Sequence, residues 1–259
     1  MATLELQARI DNLLATAQTE TADIDLLAPI TEREECPICM LPLPLRDDEI
    51  VFMACCGKTI CLGCSYKQKI NDRENRVPKH KEKCAFCCQV SPSNTVKALK
   101  KLMKKNNSNA FMIMASHYKD GDGVMQSDTR VLDMYIHAAE LGDTRAFGMI
   151  GQYYFTTQNT SKAVEFWEVA AKKGSYYAHS LLASLDDMNG NRDGCNKHLR
   201  VAASAGHKGS IDYLMANYKR KLVSKEDLAK TLRAYQASTN EMKSRDRDDG
   251  IAARDNGSW

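Results

Sequence analysis

Cysteine carries most of the chemistry that this sequence offers. Nine of its ten cysteines lie between Cys36 and Cys88. They fall as Cys36-x2-Cys39, Cys55-Cys56, Cys61-x2-Cys64 and Cys84-x2-Cys87, with Cys88 adjoining. A C-x2-C pair sits on a tight turn that aims two thiolates at one ion about 2.3 Å away, so three such pairs suit tetrahedral zinc. Two other readings compete. Disulfides require an oxidising compartment, but the opening MATLELQARIDNLL places Glu5, Arg9 and Asp11 where a secretory signal needs a continuous apolar block. A redox C-x2-C would occur once, beside a βαβ pattern, and none is visible. The expectation is zinc in a reducing, intracellular setting, cytosolic or nuclear.

A zinc ion closed by four protein ligands leaves no position for water or substrate, so it holds a fold together rather than hydrolysing anything. Each such ion contributes on the order of 10 kcal/mol to folding. No catalytic constellation accompanies the cysteines. His117, His137, His179, His198 and His207 have neither metal spacing nor a triad partner in view and read as packing or surface residues. Cys195 stands alone and reads as inert.

Order and spacing extend the cysteine pattern. Fifteen residues separate Cys39 from Cys55, four separate Cys56 from Cys61, and nineteen separate Cys64 from Cys84. With CPIC at 36–39, CCGKTICLGC at 55–64 and CAFC at 84–87, residues 34–90 resemble the RING finger, a cross-braced fold in which alternate ligand pairs share two zinc ions. The resemblance implies that Cys36, Cys39, Cys61 and Cys64 hold one zinc. Cys84 and Cys87 would hold the other, with two ligands drawn from 55–58. A common RING finger has Cys-Gly-His where this chain has Cys56-Gly57-Lys58, and a protonated lysine cannot ligate. Cys55 beside Cys56 is the preferred replacement, giving an all-cysteine variant, with His80 or Cys88 as alternatives. RING fingers dock a ubiquitin-conjugating enzyme through apolar residues on the zinc loops and promote ubiquitin transfer without a covalent intermediate. Ile38 matches a position that touches that enzyme, and suits equally a core residue packed between the loops. Against ligase activity, Cys88 stands where active ligases often carry an arginine, Ala85 replaces the usual proline, and the 65–83 loop has no tryptophan.

The elements that must position these residues divide near residue 92. All six prolines lie at or before Pro92, leaving 167 residues without one, which predicts a long helical region. The 259 residues, 43% hydrophobic and 27% charged, suffice for one large or two modest globular domains. No apolar run approaches the roughly 18 residues of a membrane span. The net charge of +3 does not by itself argue for a nucleic-acid or membrane partner. From Lys67 to Lys105, however, twelve Lys or Arg face three acids. Few aromatics interleave with them. KALKKLMKK at 97–105 puts Leu99, Leu102 and Met103 on one helical face and lysines on the other. That predicts an amphipathic linker helix rather than a nucleic-acid footprint.

Beyond residue 105 the chain repeats itself. Ala138-Ala139, Ala170-Ala171 and Ala202-Ala203 recur every 32 residues, Gly142, Gly174 and Gly206 keep the same period, and Ala146, Ala178 and Ser210 follow in phase. Such a period marks a stacked array of helix pairs, in which small residues allow close approach and glycine ends a helix in the left-handed region. HYKDGDGVMQSDTRVLDMYIHAAELG (117–142) and SKAVEFWEVAAKKG (161–174) resemble Sel-one-like repeats, relatives of the tetratricopeptide repeat. Trp167 holds the family's tryptophan position, with Tyr135 and Leu199 at the corresponding places. A degenerate fourth unit, 207–237, caps the stack. Tyr153, Tyr154, Phe155 and Trp167 read as core aromatics rather than a ligand groove.

The fold expected is mainly α: a small cross-braced two-zinc module followed by an α-solenoid of helix-turn-helix repeats. An N-terminal helix and linker (1–33), which docks on the core or pairs with a partner, precedes the zinc module (34–92). A basic linker helix (93–108), the repeats (109–238) and a disordered charged tail (239–259) follow. Both main parts resemble protein-binding devices. The resemblances imply a RING-type ubiquitin ligase whose repeats hold its substrate or, alternatively, a non-catalytic zinc-dependent adaptor. Nucleic-acid binding ranks third.

Overall fold

The computed structural model describes residues 2–78, 81–90 and 92–257. It is 64% helical, with twelve α-helices among those residues, and is therefore mainly α. In chain order these are α1 (Ala2–Glu20), β1 (Ile50–Met53), β2 (Lys58–Cys61), α2 (Leu62–Glu74), α3 (Thr95–Met103), α4 (Ser108–Asp120), α5 (Asp128–Glu140), α6 (Thr144–Thr156), α7 (Thr160–Lys172), α8 (Tyr176–Met188), α9 (Arg192–Ser204), α10 (Lys208–Lys219), α11 (Lys225–Glu241) and α12 (Arg245–Asp255). No helix among the described residues is long and apolar enough to cross a membrane. The chain forms two units, one of Met1–Glu32 with Met114–Ser238 and one of Arg33–Ile113 with Thr239–Trp259.

In the first unit the 32-residue period becomes structure. α5, α7 and α9 begin 32 residues apart, as do α6, α8 and α10. Ser127, Asn159 and Asn191 cap the first series, each side chain accepting a backbone N–H three residues on. That satisfies donors which the first turn of a helix cannot pair internally. Gly142, Gly174 and Gly206 end α5, α7 and α9 at φ of +86°, +86° and +101°, a region other residues enter at a cost. The paired alanines are buried, and Tyr135, Trp167 and Leu199 fill equivalent core positions. Trp167 needs the most room. It donates from Nε1 to the Gly148 carbonyl at 3.2 Å, and a Cβ on Gly151 would stand 2.5 Å from its ring. Tyr154 stacks on Phe166, and Phe155 packs against Trp167.

α1 docks on this array against α5 and α7. Ile10, Leu13, Leu14 and Ala17 are buried, while Arg9 bridges Asp133 (3.0 Å) and Glu140 (2.8 Å) of α5.

The second unit differs from expectation at one of its flanks. The basic linker helix expected over 93–108 forms as α3 (Thr95–Met103), and α3 belongs to the cysteine unit, with Leu99 and Leu102 buried and its lysines exposed. The tail expected to be disordered is helical, α12 packing against α2. It lacks the apolar stripe by which docking helices are recognised. Its inward face is Arg247, Gly250 and Ala253, spaced by three. Gly250 meets Gly63 of α2 so closely that a Cβ on Gly63 would lie 2.6 Å from the α12 backbone.

Candidate metal centre

Two short devices present the cysteines. The first is a tight knuckle built twice. Around Cys36-x2-Cys39, the Cys36 N–H donates to the Leu41 carbonyl (2.9 Å) and the Met40 N–H to the Cys36 carbonyl (2.9 Å). Around Cys84-x2-Cys87, the Cys84 N–H donates to Gln89 (2.8 Å) and the Cys88 N–H to Cys84 (3.0 Å). Met40 and Cys88 both take the left-handed conformation, at φ of +57° and +58°. Cys88 is thus the counterpart of Met40, a turn residue whose side chain is exposed. His80 lies outside the described residues.

The second device is the β1–β2 hairpin, antiparallel with Ile50 opposite Cys61 and Met53 opposite Lys58. Its tip carries Cys55 and Cys56 side by side, and Gly57 turns the chain at φ +74°. Asn107, just before α4, donates to the Gly57 carbonyl at 3.1 Å and occupies the space a side chain there would need. β2 then runs into α2, for which Cys61 is the N-cap, its sulfur accepting the Cys64 N–H at 3.5 Å. Both sulfurs therefore sit at a helix N-terminus, where negative charge is favoured. Lys58, at the position of the common RING histidine, reaches over the Phe86 ring at 6.0 Å.

These devices bring the eight cysteines into two groups of four, Cys36, Cys39, Cys61 and Cys64 in one and Cys55, Cys56, Cys84 and Cys87 in the other. Within each, every sulfur lies within 4.8 Å of the others. The S···S separations are 3.8 Å for Cys39–Cys61, 3.9 Å for Cys56–Cys84 and 3.6 Å for Cys55–Cys87. A tetrahedron with bonds of about 2.3 Å has edges of about 3.8 Å, so the donor set fits a four-coordinate soft-ligand ion. A disulfide would need about 2.05 Å, and all ten cysteines are free.

Electrostatics agrees with the geometry. Burial, the largest cause in each case, pushes the Cys55, Cys61 and Cys64 thiols up, and Cys56 up to about 11. Crowded thiols do not all ionise unaided; a dication compensates them. Cys39 goes the other way. Burial opposes its ionisation, but the Leu41 amide and the Arg247 guanidinium donate to its sulfur and hold it down at about 7.

Arg247 escaped the sequence reading altogether. It is 4% exposed in α12, and its guanidinium reaches the first knuckle. Nη1 donates to the carbonyls of Pro42 (2.8 Å) and Met242 (2.6 Å), and Nη2 to Leu41 (3.3 Å) and the Cys39 sulfur (3.4 Å). The available signal was Ser244 ahead of Asp246 and Asp248, a capped helix start with acids in its first turn. Ile38, the predicted partner-binding residue, is 39% exposed on the same knuckle, with Met40 more so. Phe86 and Val90 are exposed on the other knuckle.

The repeats contain a second buried polar feature. His179 of α8 and His198 of α9 face one another with Nδ1 atoms 3.0 Å apart, and His179 Nε2 is buried without a partner. Cys195, also buried, belongs to the hydrophobic core of α8–α11, and burial raises its thiol to about 11.

No protein-family model matches the chain, and no curated protein matches it significantly. Among solved structures it is similar to a Sel1 repeat protein from Oxalobacter formigenes, at 21% identity and a TM-score of 0.51, over 68% of this chain and 78% of the other. A protective antigen of uropathogenic Escherichia coli with an SLR fold aligns at 20% identity and TM-score 0.45, over 64% of this chain and 41% of the other. The chain is thus a mainly α protein with a Sel1-type repeat fold. Two groups of cysteines in it could hold metal ions.

Proposed function

We propose that the chain is a zinc-dependent protein-interaction protein, a RING-type ubiquitin ligase in which the cysteine module recruits a conjugating enzyme and the repeats hold the protein to be modified. The supporting observation is the alternation of the two groups. First and third cysteine pairs converge, as do second and fourth, which is the connectivity of a cross-brace. Two structural zinc ions complete it, one on Cys36, Cys39, Cys61 and Cys64 and one on Cys55, Cys56, Cys84 and Cys87. Ile38 and Phe86 offer exposed apolar side chains on the two knuckles, as a docking surface for a folded partner requires. Stacked helical repeats present extended surfaces suited to peptides and domains.

The test joins zinc content to self-ubiquitination over a panel of conjugating enzymes. Two ions with ubiquitin chains that Ile38→Ala abolishes, at unchanged zinc, support the ligase. Two ions without chains under any enzyme favour the adaptor. For that second reading the relevant observation is Cys88, an exposed thiol at the turn where active ligases carry a cation.

A further inference from the structure

Arg247 poses a problem that its neighbours do not solve. A buried guanidinium needs a counter-charge, because an isolated buried ion costs several kcal/mol. Among the described residues no Asp or Glu forms an ion pair with it. Its hydrogen-bonded partners include three carbonyls and the Cys39 sulfur, the Cys61 sulfur also interacts with it, and Nε is buried with no partner. Cys39 and Cys61, both of the first group, are the contacting side chains able to carry negative charge, and Glu49 acts on the guanidinium only through its charge. A Zn2+ held by four thiolates carries a net charge of about −2, which is the charge this cation lacks.

We infer that Arg247 is the counter-ion of the first cysteine centre, and that α12 is a clasp whose docking and that centre's metal loading form one linked equilibrium. The inference rests on the zinc reading above. The geometry makes the linkage concrete. The same guanidinium that meets the Cys39 sulfur fastens the Leu41 and Pro42 carbonyls of the knuckle and the Met242 carbonyl at the approach to α12. With the ion bound, seating α12 sets the guanidinium against the negative charge of the centre; without the ion that attraction is lost. Linkage is reciprocal, so whatever unseats α12 must weaken the metal site by the same factor. Contacts that orient metal ligands typically change affinity 10- to 100-fold when removed. α12 also covers part of α2 around Gly63, so its release uncovers that face.

The experiment uses the full chain with zinc, with two readouts taken separately. One is metal content and the rate of loss to a chelator. The other is hydrogen exchange of 245–255 set against 50–61. Arg247→Gln at saturating zinc is expected to keep two ions and protection of the hairpin, lose protection of α12, and speed metal loss from one site about tenfold. Arg247→Lys, retaining the charge without the fork, should fall between. The double variant Ser244→Ala/Arg254→Ala, which removes the N-cap of α12 and its tie to Asp48 without touching a cysteine-bearing element, should speed metal loss in the same way. With Co2+ in place of zinc, the thiolate-to-metal charge-transfer band of one site should shift in Arg247→Gln and recover partly in Arg247→Lys. Protection of α12 unchanged in Arg247→Gln overturns the inference. Metal loss unaffected by Ser244→Ala/Arg254→Ala, despite an unprotected α12, overturns it as well. Wild-type protein that binds no zinc removes both this inference and the reading beneath it, whereas the first two outcomes leave that reading intact.

Discussion

Cys55 and Cys88 differ by geometry, not by chemistry. Both adjoin another cysteine, but the hairpin tip aims Cys55 at Cys87, whereas Cys88 occupies the outward turn that Met40 occupies in the twin knuckle. Cys55→Ser is therefore expected to lower metal content from about two ions to about one, and Cys88→Ser to leave it unchanged, by elemental analysis. His179 supports a prediction in pH. Burial, with His198 alongside, lowers its pKa from 6.5 to about 4, and burial lowers His198 too. A depressed histidine pKa means that the unfolded chain takes up the proton first. The stability this neutral pair contributes is whole above pH 6.5 and is lost as pH falls toward 4. For His179 alone the loss is about 3 kcal/mol. Thermal unfolding of the repeats should drop steeply through that window, and His179→Asn should flatten the slope. No periodicity could reveal this pair, because eighteen residues and a turn between helices separate its members.

Along the helices, Gly148 and Gly151 of α6 read alike in sequence and behave oppositely in the fold. A Cβ on Gly148 would make ordinary contact, 3.7 Å from Tyr177, so Gly148→Ala should gain up to about 1 kcal/mol of helix propensity. On Gly151 it would strike the buried Trp167 indole, and Gly151→Ala should cost a net of about 1–2 kcal/mol despite the same gain. Chemical denaturation of the two variants gives the signs directly. The repeats were legible because residue types recur with the turn geometry: paired alanines and a left-handed glycine at each 32-residue step. α12 was not legible because its interface is a cation, a glycine and an alanine, which no hydrophobic stripe announces. Its charged composition reads as disorder until Gly63 and Cys39 are known to be its neighbours.

At the scale of the whole molecule the two units hold together by different means. The hydrophobic core of α8–α11 includes Leu199, Ile211, Leu214 and Leu228. In the cysteine unit one hydrophobic cluster is Cys36, Leu43, Ile60, Cys61 and Cys64, so three of its five buried members are metal-ligand candidates. A cluster built so largely of ligands supplies little stability without its ions. Exhaustive chelation should therefore unfold the cysteine unit while most far-UV helical signal persists, leaving one thermal transition where the loaded protein shows two.

The units are also interleaved along the chain, since α12 completes the cysteine unit only after the entire repeat array has passed. A ribosome adding about 5–20 residues per second would expose the knuckles and hairpin for on the order of ten seconds before Arg247 emerges. During that interval the first centre is assembled without its clasp. Synthesis stopped early would release a chain with all eight candidate ligands and no lock on them. A fragment cut at the cysteine motif's own limits, 34–92, reproduces that unfinished state.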